Sequence, residues 1–453
     1  GNEYMDKIHK KSELDKTNET KELFLIHSMS QLYTEEGSPL PKFNLILFQV
    51  KERSLELESN NNFPTVEYYV VDMKNVEGYI EGQFVYRYQG ENGNVQLFNA
   101  NKDSRARQQI MINNRLRASI MSFNENHSPM NLQNEENGEI FSYHVNVGHG
   151  NCSFLVIKGD DEIKIWSIDC SERDFLTKHS YRKNIDNCLK YISEKFKLDE
   201  VKIEKFFLTH SHYDHFSGFI YLIKKYGASN AEFWFNPFYS FSSSAYNDLL
   251  KLLNDKVISK KLKTIDSYPW NNTPNIRILN EDALILRTKP SKGHKGISNL
   301  MANFMGVKKP IIQNKINDSS IVYQFKFGKK SMVFPGDIEE KGWQYINTCI
   351  PYLSETNYYC LSHHGSMNGH IRKNCPANFN IQDVTKCCEQ VDVLFVQGRD
   401  GAFSGIISPK VISDLTVSGR RKPIYRTDQG PNGKKNPIFF EIDWSTDCVL
   451  YHY

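Results

Sequence analysis

The chain has 453 residues, of which 13% are aromatic, and this length is too great for one ordinary hydrophobic core, so we expect a globular, mixed α/β protein with two or three lobes. Positive and negative charges nearly cancel, with 56 Lys and Arg against 53 Asp and Glu, so no global field marks the chain as a nucleic-acid binder and only a local basic groove stays open. No apolar run approaches the roughly 18 residues of a membrane span, and the first residues are polar where a signal peptide would be apolar, so we expect no membrane contact.

Composition divides the chain into three parts. Residues 1–25 are rich in Lys and Glu and predict a polar tail. Residues 26–135 predict a separate small β-rich N-terminal domain of unknown role, because short β-type runs recur at 44–48, 66–71 and 82–88. A stretch around residues 124–138, rich in Asn and without periodic apolar positions, predicts a linker. The third predicted domain therefore covers residues 136–453.

Strands and helices alternate in the third domain. The pattern predicts strands at 143–147, 153–157, 163–168, 201–208, 358–361 and 391–396, and a hairpin formed by 321–327 and 331–334. It predicts helices at 185–196 and 216–226, and a polar insertion at 236–275 that contains a helix at 245–253. Several of these strands are followed by His or Asp residues within one to three positions.

The densest cluster of metal-binding side chains follows the predicted strand 201–208. His210, His212, Asp214 and His215 lie within six residues, just after an apolar run. Desolvating three imidazoles and a carboxylate is costly, and direct ligation of a divalent cation offsets that cost. The alternative is a polar loop that is rich in His by chance. We interpret the cluster as a metal site.

Two other strand ends offer similar ligands. Asp337 follows the predicted hairpin and a Pro-Gly turn, and His363 and His364 follow the strand 358–361. The alternative for Asp337 is a helix N-cap. Because sites in layered α/β folds gather beyond the carboxyl ends of strands, we expect these residues to converge with the His cluster.

The ordered motifs THSHYDHFSG, FPGD and LSHHGS resemble the metallo-β-lactamase superfamily, and most closely its ComEC-type branch of DNA-uptake hydrolase domains. The resemblance covers roughly residues 140–445. It includes VNVGHG at 145–150, where that branch usually has D-V-G-Q-G-D, Asp169 at a strand end, and YRTD at 425–428. It implies an αββα four-layer sandwich, here joined to the β-rich N-terminal domain.

The resemblance also implies two divalent metal ions, Zn first and Mn or Fe as alternatives. It assigns them the ligands His210, His212, Asp214, His215, Asp337 and His363. In this assignment Asp337 bridges the ions, and His363 is favoured over His364 because it lies nearer the strand end. Asp214 and His364 receive catalytic roles, Asp214 toward the attacking water and His364 toward the substrate or as a proton donor.

The sequence departs from the family in three places. Where many relatives carry a further histidine ligand we assign Asp318, although Asp318 with Asn317 is equally consistent with an Asx turn. The segment 405–409 lacks the histidine of the branch's G-H-P-S-P element, and His149 replaces a glutamine. Substrate contacts are assigned to His149, Lys292, His294 and Ser366, against the alternative that such residues are ordinary surface or hydrogen-bonded groups.

We therefore predict a dimetal hydrolase, most consistent with a phosphodiesterase or nuclease that acts on nucleic acid or a nucleotide. This substrate class rests on the resemblance. One alternative is a hydrolase of a small ester, lactone or lactam. Another is a partner-regulated effector subunit of a defence complex, in which the N-terminal domain binds a protein. The nine cysteines contain no C-x-x-C pair and are odd in number, which favours a reducing cytoplasm.

Overall fold

A computed structural model describes most of the third predicted domain and the strands of the N-terminal region. The described residues are 23–28, 44–50, 68–72, 84–89, 95–100, scattered positions between 102 and 116, 136–174, 176–235, 244–267, 271–279, 317, 320–339, 343, 355–370, 391–417 and 423–453.

The N-terminal region forms an antiparallel sheet of five strands in the order β3-β2-β1-β4-β5. The strands are β1 (Leu23–Ser28), β2 (Asn44–Val50), β3 (Tyr68–Asp72), β4 (Phe84–Gln89) and β5 (Val95–Asn99). The three predicted β-type runs correspond to β2, β3 and β4. Strand β1 begins two residues before the predicted end of the polar tail. The independence of this region as a domain stays a prediction.

The first large sheet has eight strands in the order β11-β10-β9-β8-β7-β6-β18-β19. They are β6 (Glu139–Val145), β7 (Cys152–Lys158), β8 (Ile163–Cys170), β9 (Ile203–Phe207), β10 (Gly227–Phe235), β11 (Leu262–Asp266), β18 (Phe439–Asp443) and β19 (Cys448–His452). Strands β8 to β11 run parallel, so their carboxyl ends lie along one edge. Within the described residues, four helices lie between β8 and β11 in the chain: α1 (Arg182–Phe196), α2 (Tyr213–Phe216), α3 (Phe219–Tyr226) and α4 (Ser244–Ile258).

The second large sheet has six strands in the order β12-β13-β14-β15-β16-β17. They are β12 (Ile276–Ile278), β13 (Tyr323–Phe327), β14 (Lys330–Phe334), β15 (Tyr358–Cys360), β16 (Val393–Val396) and β17 (Ile424–Arg426). Helix α5 (Pro409–Val417) lies between β16 and β17 in the chain. Strands β14 to β17 are parallel, so this sheet also presents several carboxyl ends at one edge.

Buried apolar side chains form three clusters, which explain how the sheets pack. One cluster takes residues from both large sheets, for example Trp166 and Phe207 from the first and Phe325 and Phe395 from the second. Alternation along β9 sends Phe206 into a different cluster, which also contains residues of α1, α3 and α4. A third cluster joins the other face of the second sheet to α5. The predicted mixed α/β class is confirmed.

Two predictions of local structure were wrong. The range 236–275 is not only a polar insertion with a helix, because its residues 262–266 form β11, which pairs in parallel with β10. The predicted helix 216–226 begins three residues later than expected, as α3 (Phe219–Tyr226), because Phe216 ends α2 and the chain is non-helical at Ser217 and Gly218. Gly218 N donates a hydrogen bond to Cys170 O, and a Cβ there would lie 2.4 Å from Cys170 Sγ. Close packing against β8 therefore overrides the helical pattern.

Strands β10, β18 and β19 were not predicted from the sequence. β10 begins with Gly-Ala-Ser-Asn, which is typical of a turn, and in β19 exposed and half-buried residues alternate along the first four positions. Across the described ranges, no helix combines the length and apolar character needed to cross a membrane.

Candidate metal centre

The candidate ligands lie at the edge where the carboxyl ends of strands from the two large sheets meet. The His cluster follows β9, Asp337 follows β14, and the turn 362–365 follows β15. Ile321 N donates a hydrogen bond of 2.8 Å to Thr209 O, which ties the two sheets together at this edge. Gly336, at φ +58°, fits against Thr209, whose Cβ would lie 2.8 Å from any Cβ added to the glycine. The turns therefore pack too closely to admit a side chain between them.

One group of ligand atoms comes from Asp214, His215, Asp337 and His364, all within 4.8 Å of one another. His364 Nε2 lies 3.0 Å from Asp214 Oδ2 and 3.3 Å from Asp337 Oδ2. His215 Nε2 lies 3.1 Å from Asp337 Oδ1. These residues come from three different turns, so the fold rather than a local motif assembles the group.

A second group consists of His210, His212 and Asp337, again within 4.8 Å. His210 Nε2 lies 3.1 Å from His212 Nδ1 and 3.7 Å from Asp337 Oδ2. Asp337 thus belongs to both groups, and its side chain is 3% exposed. The resemblance implies a bridging role for Asp337, and that role stays a prediction.

Two buried polar atoms indicate that the residues present fit a metal. His215 Nε2 and Asp337 Oδ1 lie 3.1 Å apart, and among the described residues neither atom has a hydrogen-bond partner. Buried polar atoms are normally paired, and a cation between an imidazole nitrogen and a carboxylate oxygen would satisfy both. Imidazole and carboxylate donors suit Zn, and also Mn or Fe.

Asp169 holds His215 in place, a role that sequence reasoning missed. Its buried carboxylate accepts hydrogen bonds from His215 Nδ1 at 2.7 Å, Thr209 N at 2.8 Å and Thr209 Oγ1 at 2.8 Å. Donation by Nδ1 fixes the ring so that Nε2 faces Asp337, and carboxylates commonly orient metal-binding histidines in this way. The sequence contained one signal for this role, namely an Asp at the end of an apolar strand. The family motifs include this Asp, but the sequence-based prediction gave it no role.

The turn after β15 decides which of its two histidines enters the centre. His363 and His364 both have left-handed backbones, at φ +50° and +52°, and their side chains have different partners. His364 Nδ1 donates to Gln397 O at 2.9 Å, which directs Nε2 toward Asp214 and Asp337. His363 instead lies 3.3 Å from Glu339 Oε1, with its Nε2 4.0 Å from Asp337. The structure therefore places His364 in the position that the sequence-based prediction gave to His363.

Mutual electrostatics shift the pKa values in this centre. Burial alone would raise the pKa of Asp337, but the imidazoles of His215, His364 and His363 hold it well below its usual range. Burial lowers the pKa of His210 well below its usual value, and the charge of His215 adds to this effect. For His364 burial also lowers the pKa, but Asp337 and Asp214 outweigh it and raise the value to about 10.

Two of the four predicted substrate residues lie within the described part of the chain. His149 is buried beside the centre, with Nε2 3.4 Å from Asp214 Oδ2, and its ring packs edge-on against the half-exposed Phe403. Ser366 is buried, and its Oγ accepts a hydrogen bond from Asn368 N. The predicted ligand Asp318 and the predicted substrate residues Lys292 and His294 lie outside the described residues.

No protein-family model matches the chain, and no curated protein matches it. Among solved structures, it is similar to a diphosphatase from the PhnP family, at 10% identity and a TM-score of 0.31, over 67% of this chain and 98% of that one. It is also similar to a mutant of CmlA beta-hydroxylase, at 11% identity and a TM-score of 0.32, over 84% of this chain and 73% of that one. Likenesses this distant carry no argument about activity.

Proposed function

We propose that this chain is a metal-dependent hydrolase with two divalent ions bridged by Asp337. The observation that carries this proposal is the pair of ligand groups that share Asp337 at the meeting edge of two sheets. A folding role explains them poorly, because two carboxylates and four imidazoles, of which Asp214 and His212 are half-buried and the rest buried, would be desolvated together with no metal to offset the cost.

We further propose that residues 136–453 adopt the αββα sandwich of metallo-β-lactamases. Supporting this are the shared apolar cluster between the two large sheets and the separate clusters that pack helices on their other faces. A centre at the edge where both sheets end fits that architecture. The ComEC-type assignment rests on the sequence motifs alone.

The residues of the centre have distinct roles in this proposal. One ion would be held by His210, His212 and Asp337, and the other by Asp214, His215, Asp337 and His364. When bound, two such ions lower the pKa of a water nucleophile and clamp the attacking and leaving oxygens of a displacement. Asp214 has a side chain 17% exposed, against 3% for Asp337, so it is the carboxylate placed to accept the proton of the attacking water.

The substrate we favour is a phosphodiester in nucleic acid or a nucleotide, since two cations suit a phosphate anion. A small uncharged ester, lactone or lactam is the second candidate. The observation that favours it is the position of Phe403, a half-exposed aromatic ring that packs against His149 and offers an uncharged substrate an apolar contact beside the centre. We also propose that the five-stranded N-terminal sheet binds a protein partner, as in an effector subunit of a defence complex.

A substrate panel tests the proposal. Protein reconstituted with Zn or Mn would be assayed on single- and double-stranded DNA, RNA, cyclic dinucleotides and an uncharged aryl ester, beside Asp214→Ala prepared identically. Cleavage by the wild type alone supports a metal-dependent hydrolase, and the substrate cleaved selects between the two candidates. Equal cleavage by Asp214→Ala would contradict the assigned centre.

A further inference from the structure

The loop at residues 146–151 touches the metal centre at Asp214. His149 Nε2 lies 3.4 Å from Asp214 Oδ2, and Asn151 N donates a hydrogen bond of 3.0 Å to Asp214 O. In the tautomer with its proton on Nε2, this imidazole donates toward the carboxylate of Asp214. The side chain and the backbone of one ligand are thus both held by this loop.

Asp174 fixes the loop from the other side. Its fully buried carboxylate accepts a hydrogen bond of 2.9 Å from His149 N. Gly148, at φ +69°, fits directly against it, since an added Cβ would lie 2.5 Å from Asp174 Oδ2. The position of His149 therefore depends on where Asp174 sits.

Arg399 in turn fixes Asp174. Its Nε donates to Asp174 Oδ2 at 2.7 Å and its terminal nitrogen to Oδ1 at 3.3 Å, a bidentate pair that joins the two halves of the chain. Arg399 also lies two residues after Gln397, whose carbonyl orients His364. One short segment thus positions His364 directly and His149 through Asp174.

We infer that Arg399 and Asp174 are positioning residues for the ion held by Asp214, His215, Asp337 and His364, and that they act through His149. This inference rests on the proposed function. Groups that hold a metal ligand without touching the metal commonly change metal affinity by about 10- to 100-fold. In this inference the buried His149 orients Asp214.

Zn titration against a chromophoric chelator tests the inference. Asp214→Ala first shows which binding step belongs to the group that contains Asp214. His149→Ala, Asp174→Asn and Arg399→Gln should each weaken that step by about 10- to 100-fold and leave the other step unchanged. His149→Gln should restore much of the affinity, because the glutamine amide can also donate a hydrogen bond, whereas a purely structural role would not distinguish Gln from Ala.

A matched control is available in the same region. Arg182 makes a comparable bidentate pair with Glu172, at 2.7 and 2.9 Å, and Arg182→Gln should leave both Zn steps unchanged. Wild-type affinity at both steps in Asp174→Asn and Arg399→Gln would overturn the inference alone, as would equal weakening of both steps. A wild-type protein that binds no second ion would overturn the proposed function and the inference with it.

Discussion

Replacing Asp169 by Asn should weaken the metal centre without removing a ligand. The wild-type carboxylate accepts from His215 Nδ1 at 2.7 Å and from two groups of Thr209, each at 2.8 Å. Asn has one acceptor oxygen, so its amide nitrogen must face one of these donors, and a hydrogen bond to a buried charged group is lost. Such a bond contributes about 1.5–3 kcal/mol, which corresponds to roughly 10- to 150-fold in metal affinity.

The assay is Zn affinity of the group that contains His215, measured by chelator competition, with urea unfolding of the metal-free protein recorded in parallel. Thr209→Val is the matched control for the group that contains His215, because it removes the hydroxyl's bonds to Asp169 and to His210 Nδ1, a ligand of the other group, and keeps the carboxylate that holds His215. It should lower stability more than Zn affinity. Wild-type Zn affinity in a folded Asp169→Asn protein would refute the reasoning that this carboxylate orients His215.

Three further predictions concern separate features. His364→Ala should lose one Zn ion per chain and His363→Ala should keep both, as metal analysis would show; the reverse would restore the sequence-based assignment. His144 is fully buried, and burial lowers its pKa to about 3. Below pH 6.5 the imidazole takes up a proton in the unfolded chain but not in the folded protein, so the free energy of unfolding should fall. Urea unfolding at pH 7.5 and 5.5 should show a loss about 1.4 kcal/mol larger in the wild type than in His144→Gln, and equal losses would argue against it. Gly150→Ala should lower the melting temperature far more than Gly401→Ala. Both glycines have positive φ, but of the two only Gly150 is crowded, since a Cβ there would lie 2.6 Å from another atom. Similar shifts in the two variants would show that crowding is unimportant.

The ligand types were predictable from sequence, because His and Asp residues that cluster at strand ends are typical of metal sites and uncommon elsewhere. His210, His212, Asp214, His215 and Asp337 all lie in the two groups. Their convergence follows from a simple rule, since the carboxyl ends of parallel strands share one edge. The strands that deliver them were predicted because their apolar runs are short and clearly bounded.

What sequence reasoning missed depends on backbone conformation and long-range contact. The choice between His363 and His364 is made by a left-handed turn and by Gln397 O, and neither is visible in the local pattern. Similarly, the roles of Asp169 and Asp174 arise from partners 46 and 225 residues away in the chain. Strand β11 was missed because the residues around it are polar; among the described strands it lies at the sheet edge and pairs with β10.

The measurement that tests the central claim most directly is the metal content of the folded wild-type protein beside Asp337→Ala. We predict two Zn ions per chain in the wild type and a marked loss at both positions in the variant, because Asp337 belongs to both ligand groups. Two ions retained by Asp337→Ala, or no ion bound by the wild type, would contradict the account of a centre bridged by this residue.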